Sequence, residues 1–122
     1  MPVTKRIPRE QWQEYFDRFS IRFLRDSSPE AVDIEIVSPT LGDQVLAQGA
    51  RLAGLSYDPR DDSLEFHFEL TVHETADHRV LSPREIWVVE DDDGFVRSVE
   101  VVRPDGAREV LNIQKVGLRR VR

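Results

Sequence analysis

The chain has 122 residues and a formal net charge of −6, which suits one domain large enough to bury a core without staples. It has no cysteine, which excludes disulfides, thiol catalysis and thiolate metal sites and fits a reducing cytoplasm. Residues 31–102 carry five basic and sixteen acidic groups, a balance of −11, and an acidic body of this kind argues against nucleic acid as a partner.

The first residues, Met1 to Ile7, read as a loose end. They lack the apolar stretch of a signal peptide, and no run in the chain approaches the ~20 apolar residues of a membrane span. The expectation is therefore a soluble, cytoplasmic protein with no membrane partner. Pro8 suits the first turn of a helix, where its missing N–H costs nothing. Trp12, Tyr15, Phe16, Phe19 and Phe23 follow at spacings of three, one, three and four, with Leu24 beside the last. This is one stripe of an amphipathic helix over about residues 8–24, with Glu10, Gln13, Glu14, Asp17 and Arg18 on its other faces. Aromatics dominate core burial, so the stripe is expected to glue the helix to a sheet. Asp26-Ser27-Ser28-Pro29 ends it.

From about residue 31 to 116 the pattern changes to short strands and turns. Ala31 to Val37 alternates, with Val32, Ile34 and Ile36 on one face. Ser38 to Asp43 is a turn. Val45–Ala47 and Leu52–Tyr57 read as two short strands separated by a bend at Gly49 and weakened by Gly54. Asp58 to Ser63 is a hairpin loop. Leu64 to Val72 alternates without a break: Leu64, Phe66, Phe68, Leu70 and Val72 are apolar, and the residues between them are polar. That is a strand with one dry and one wet face. The segment from His73 to Pro83 reads as an irregular loop before the Glu85–Glu90 strand, which carries Trp87. Asp91 to Gly94 and Pro104-Asp105-Gly106 are tight turns around strands at Phe95–Val102 and Ala107–Val116. Gly117 to Arg122 is a basic tail, expected to be dispensable for folding. The pattern predicts a single domain, mainly β with one N-terminal α-helix. It is a six- to seven-stranded antiparallel meander, bent or closed into a small partly open barrel and built on the 64–72 and 85–90 strands.

Little chemistry is legible. His73-Glu74-Thr75-Ala76-Asp77-His78 misses the zinc-protease H-E-x-x-H pattern by one residue, and on a helix five residues would separate the two histidines by about 140°. As a loop, His73, Glu74, Asp77 and His78 could still converge on a metal. His78, in a segment with no ladder to satisfy its backbone, is expected to pin that loop by bonding a carbonyl or carboxylate. His67, on the wet face, is expected to be replaceable. The acidic turns at 91–93 and 58–62 lack the spacing of a calcium loop. Gly54-Leu55-Ser56-Tyr57-Asp58 lacks the second glycine of a nucleophile elbow, and no nucleophile is paired with a base at a readable spacing. No cofactor is implied.

Several fragments, taken in order, carry a resemblance. They are Arg6-Ile7-Pro8-Arg9-Glu10 with Trp12, Leu41-Gly42 with Gln44-Val45, and Leu52 with Gly54-Leu55-Ser56-Tyr57-Asp58. Asp77-His78 with Pro83, Ile86-Trp87-Val88, Val99-Glu100-Val101, and Asp105-Gly106 with Leu111 complete the set. Together, from about Arg6 to Ile113, the chain resembles a family of short bacterial proteins known as a domain of unknown function. The resemblance implies no activity and no site residue. Two readings of function remain open. One is a non-catalytic interaction or scaffold domain, homodimeric through an edge strand. The other is a metal- or small-molecule-binding protein, or a hydrolase, using His73 to His78.

Overall fold

A computed structural model describes residues 2–25, 30–40, 42–71 and 73–115. The described part is mainly β with one N-terminal helix, and all eight strands lie in one antiparallel sheet that does not close. In chain order the elements are β1 (Val3–Ile7), a 3₁₀ turn (Arg9–Gln11), α1 (Trp12–Arg25), β2 (Glu30–Ser38), β3 (Gly42–Asp58), β4 (Ser63–Thr71), β5 (Glu74–Leu81), β6 (Glu85–Glu90), β7 (Val96–Val102) and β8 (Arg108–Lys115). The spatial order is β1-β6-β7-β8-β2-β3-β4-β5.

Three differences turn the expected six or seven strands into eight, two adding a strand and the third merging two into one. Residues 3–7, read as a loose end, form β1 on β6, because Ile7 has a buried place opposite Ile86. The His73–Pro83 segment, read as a loop, is mostly β5, an edge strand on β4. The two short strands at 45–47 and 52–57 are one long strand, β3, with Gly49 at a positive φ of 68° inside it. The backbone N–H of Gly49 donates to Asp33 Oδ1 at 2.7 Å, which anchors the bend. In its spatial order the sheet is therefore two meanders, the first β6 to β8 and the second β2 to β5, joined where β2 pairs with β8. The 64–72 and 85–90 strands do not pair; they are β4 and β6, in different meanders.

Alternation sorts the side chains as expected. Leu64, Phe66 and Phe68 of β4, Ile86 and Val88 of β6, Val99 and Val101 of β7, and Leu111 and Ile113 of β8 share one core with Val32 and Ile34 of β2. The helix stripe also holds: Trp12 and Phe16 are fully buried, and Tyr15 and Phe19 pack against the same core. The side chains of Phe23 and Leu24 lie outside the described set, as do the 26–29 segment, Val72 and the Gly117–Arg122 tail.

What α1 covers follows from the pairing. Among the described residues, β3 has no β2 partner beyond Arg51. Ser20 takes the missing strand's place: its hydroxyl donates to Leu55 O at 2.7 Å and accepts from Leu55 N–H at 3.1 Å. Trp12 stands edge-on to Tyr57, donates its indole N–H to Ile7 O at 2.8 Å, and is capped by the Arg9 guanidinium. Arg9 also reaches Asp62 and Pro83 O, and Arg22 donates to Gly94 O. The Tyr57 hydroxyl donates to Asp62 Oδ1 at 2.5 Å, and burial together with that carboxylate pushes its pKa up to about 12. Tyr15 behaves alike: burial, then its bond to Glu90 Oε2, raises its pKa well above the phenol range. Glu90 is held below its ordinary value: burial raises it, but bonds from Tyr15 and Lys5 outweigh that.

Two outcomes follow from the helix seat. Phe16→Ala should cost about 3–5 kcal/mol in chemical denaturation, the range for a fully buried phenylalanine. A raised phenol pKa gives stability that is complete below the ordinary value of 10.0 and is lost as pH rises past it. The lowered Glu90 gives stability that is complete above 4.5 and lost as pH falls below it. Tyr15→Phe should therefore reduce the pH dependence of the melting temperature at both the alkaline and the acid end.

Candidate functional site

The wet face of the second meander holds a hydrogen-bonded series of three side chains from three adjacent strands. His67 of β4 lies directly opposite Asp77 of β5 and Gly54 of β3. Its Nδ1 is 2.8 Å from Asp77 Oδ1, and its Nε2 is 2.9 Å from Ser56 Oγ. A carboxylate can only accept, so Nδ1 carries the proton; the neutral ring then accepts at Nε2, and the Ser56 hydroxyl donates. Ser56 is the diagonal neighbour of His67 rather than its direct partner. The ring can lean toward it because the opposite residue, Gly54, has no side chain to hold it away. Beside Ser56 and His67 a shallow pocket of about 420 Å³ opens between α1 and the sheet, lined also by Asp17, Ser20, Ile21 and Gly54. The His67 side chain is 33% exposed and that of Asp77 61%, so solvent reaches the series from the β5 side.

The dry face of the same meander carries a second polar group. Glu109 of β8 is nearly fully buried and bonded to His78 Nε2 of β5, while Arg103 approaches its other oxygen at 3.4 Å. β5 and β8 are not neighbours in the sheet, so this contact spans the interior between the two meanders. Among the described residues no buried side-chain nitrogen or oxygen lacks a partner. On the outer face of the first meander, Trp87, Val89, Val102 and Val110 floor a groove of about 480 Å³. Its polar groups are mutually engaged: Trp87 donates to Glu85, and Arg108 pairs with Glu100.

The last feature is an open edge. Among the described residues, 43–50 of β3 pair with β2 on one side only, since β4 joins at Arg51. Val45 and Leu46 there are 66% and 43% exposed.

The model of a family of unknown function, DUF5335, matches residues 3–117. The chain belongs to that family. It is 42% identical over 112 residues to an uncharacterized protein of the bacterium Aquifex aeolicus (strain VF5), covering 92% of this chain and 93% of the relative. No solved structure matches. DUF5335 membership carries no activity with it, so the residues must be weighed by their geometry.

The four candidate metal ligands are not brought together. Asp77 and His78 are consecutive strand residues and point to opposite faces, one to His67 and the other to Glu109. Glu74 bonds Thr71, and His73 sits exposed in the β4–β5 turn. Among the described residues no group of three or more histidines, aspartates or glutamates is placed to hold a metal ion. His78 does bond a carboxylate, as its chemistry predicts, but from a strand rather than a loop. His67 differs from the reading as a replaceable wet residue, for it carries two specific bonds. The Ser56–His67–Asp77 series escaped sequence reasoning because its spacings of eleven and ten residues depend on the β3 bulge and the hairpin lengths.

His78→Ala should destabilise by about 1–3 kcal/mol, since it strips one partner from a buried carboxylate. In a double-mutant cycle with Glu109→Gln the two losses should be clearly non-additive. Additive losses would show that the interior contact contributes nothing of its own.

Proposed function

We propose that this DUF5335 protein is an interaction domain that self-associates through the open edge of β3, a second copy adding its own residues 43–48 antiparallel to the first. One observation carries the reading. A run of strand that no other strand among the described residues pairs on its outer side displays Val45 and Leu46 to solvent and holds a single charge, Asp43. Such an edge is a template for another strand unless it is blunted by charge. The sheet's other two edges are blunted in that way, β1 by Lys5 and Arg6, and β5 by Glu74, Asp77 and Arg79.

The sequence of the edge is also self-complementary. A two-fold axis at Val45 sets Val45 against its own copy, Gln44 against Leu46 and Asp43 against Ala47, each pair on one face of the sheet. No like charges meet, and Val45 meets its own copy on one face while Leu46 lies against Gln44 on the other. A scaffold role follows directly: dimerisation would extend the sheet and present two identical outer faces.

Sedimentation equilibrium tests this. The wild-type chain should show a concentration-dependent shift from monomer to dimer. Val45→Lys, at an exposed position, should leave the melting temperature within the small range of surface substitutions and hold the protein monomeric. A wild-type chain that stays monomeric up to near-millimolar concentration, or a lysine variant that still dimerises, would overturn the reading.

A further inference from the structure

We propose that Ser56 is an activated nucleophile, with His67 as its general base and Asp77 as the residue that positions the base, and that it takes the acyl group of small, neutral or cationic activated esters. The site is distinct from the β3 edge in residues and face, and it adds a chemical capacity to the interaction domain.

The atoms of the relay match the task. Ser56 Oγ faces Nε2 at 2.9 Å, and Nδ1 faces Asp77 Oδ1 at 2.8 Å. A serine hydroxyl is a weak nucleophile at neutral pH and needs a base within hydrogen-bond reach that is itself oriented by a third group. All three conditions are met by side chains fixed on adjacent strands. The nucleophile is also accessible, because the pocket of about 420 Å³ lies against Ser56 and His67.

The chemistry proceeds with its atoms balanced. Ser56 Oγ bonds to the ester carbonyl carbon while its proton passes to His67 Nε2. The bond from that carbon to the alkoxy or aryloxy oxygen breaks, and the leaving oxygen takes the proton from His67. Water then attacks the acyl-serine with His67 again as base, releasing the acid and restoring the hydroxyl. Asp77 stabilises the transient imidazolium through Nδ1–H.

The substrate class comes from what surrounds the nucleophile. Ser20, the other hydroxyl in the pocket, is committed to both the N–H and the carbonyl of Leu55. With that donor engaged, the leaving group must supply the reactivity, which favours aryl and other activated esters over amides. Asp17 lines the same pocket, and its charge opposes an anionic acyl group.

The test uses the full chain and two probes, a fluorophosphonate and p-nitrophenyl acetate. The fluorophosphonate should add once per chain, with peptide mapping placing the adduct on Ser56, and Ser56→Ala should remove it. The labelling rate should rise with pH, because only the neutral imidazole can accept the Ser56 proton. His67→Gln should slow labelling by about a hundredfold or more, from the lower end of the range for a general base upward. Asp77→Asn, at an exposed position, should slow it less and shift the pH profile. This variant keeps the proposal testable should His67→Gln fail to fold. p-Nitrophenyl acetate should react faster than the p-nitrophenyl ester of succinate. Adducts spread over other residues, a folded His67→Gln variant that labels at the wild-type rate, or an Asp77→Asn variant with an unchanged pH profile would overturn the assignment. Equal rates for the acetate and succinate esters would overturn the substrate class.

Discussion

The seat of α1 on the half of β3 that runs past the β2 ladder is the contact on which the rest of the structure depends. An eight-stranded sheet that does not close leaves a gap, and β3 continues for seven residues beyond Arg51, which pairs with Ala31 of β2. Strand edges abandoned inside a core would carry orphaned backbone groups. The helix resolves both problems. Its Ser20 hydroxyl satisfies the N–H and the carbonyl of Leu55, and its aromatic stripe fills the gap between β3 and the β1–β6 pair. The approach is close at Gly54, where a Cβ would meet Ser20 Oγ at 3.4 Å, an ordinary contact distance. Trp12 fixes the other end by bonding Ile7 O, which ties the helix start to β1.

A second constraint acts from within. The two meanders share only the β2–β8 ladder, so the interior must hold their far sides together. Most of that work is apolar. The His78–Glu109–Arg103 group adds direction to it, because a carboxylate buried to this degree must keep its partners. The same side-chain alternation that fills the core thus sets one histidine of β5 against a strand on the opposite side of the sheet. Arg103 holds the β7–β8 turn to that point by bonding both Asp105 and Glu109.

Much of this was legible in the residues. Alternation from Leu64 to Leu70 assigned the faces of β4, and the 12-15-16-19 stripe assigned the buried side of the helix. Turn chemistry at Gly94 and Gly106, both at positive φ, placed the hairpins of the first meander. Pairing was not legible. Residues 3–7 carry one strongly apolar anchor, Ile7, and look unstructured until β6 supplies a partner. Residues 74–81 mix charged and small side chains because they form an edge, where charge protects against further pairing. The relay fell into the same gap. Ser56, His67 and Asp77 are far apart in the chain and meet only once the β3–β4 and β4–β5 registers are known. The reading of His73 to His78 as a loop had placed Asp77 and His78 on one site, whereas a strand sends them to opposite faces.

That opposition explains why the β4–β5 register matters to everything on this side of the molecule. Asp77 must face out to reach His67, and His78 must face in to reach Glu109. A slip of one residue would exchange them, burying Asp77 beside Glu109 and setting His78 beside His67. Two carboxylates would then share a dry interior with one arginine, an arrangement far costlier than the native one. The correct register is therefore enforced from the core, by Glu109, although its consequence is felt on the surface, at Ser56. Residues that never touch the pocket, His78 above all, hold the relay in line by fixing the strand that carries its aspartate.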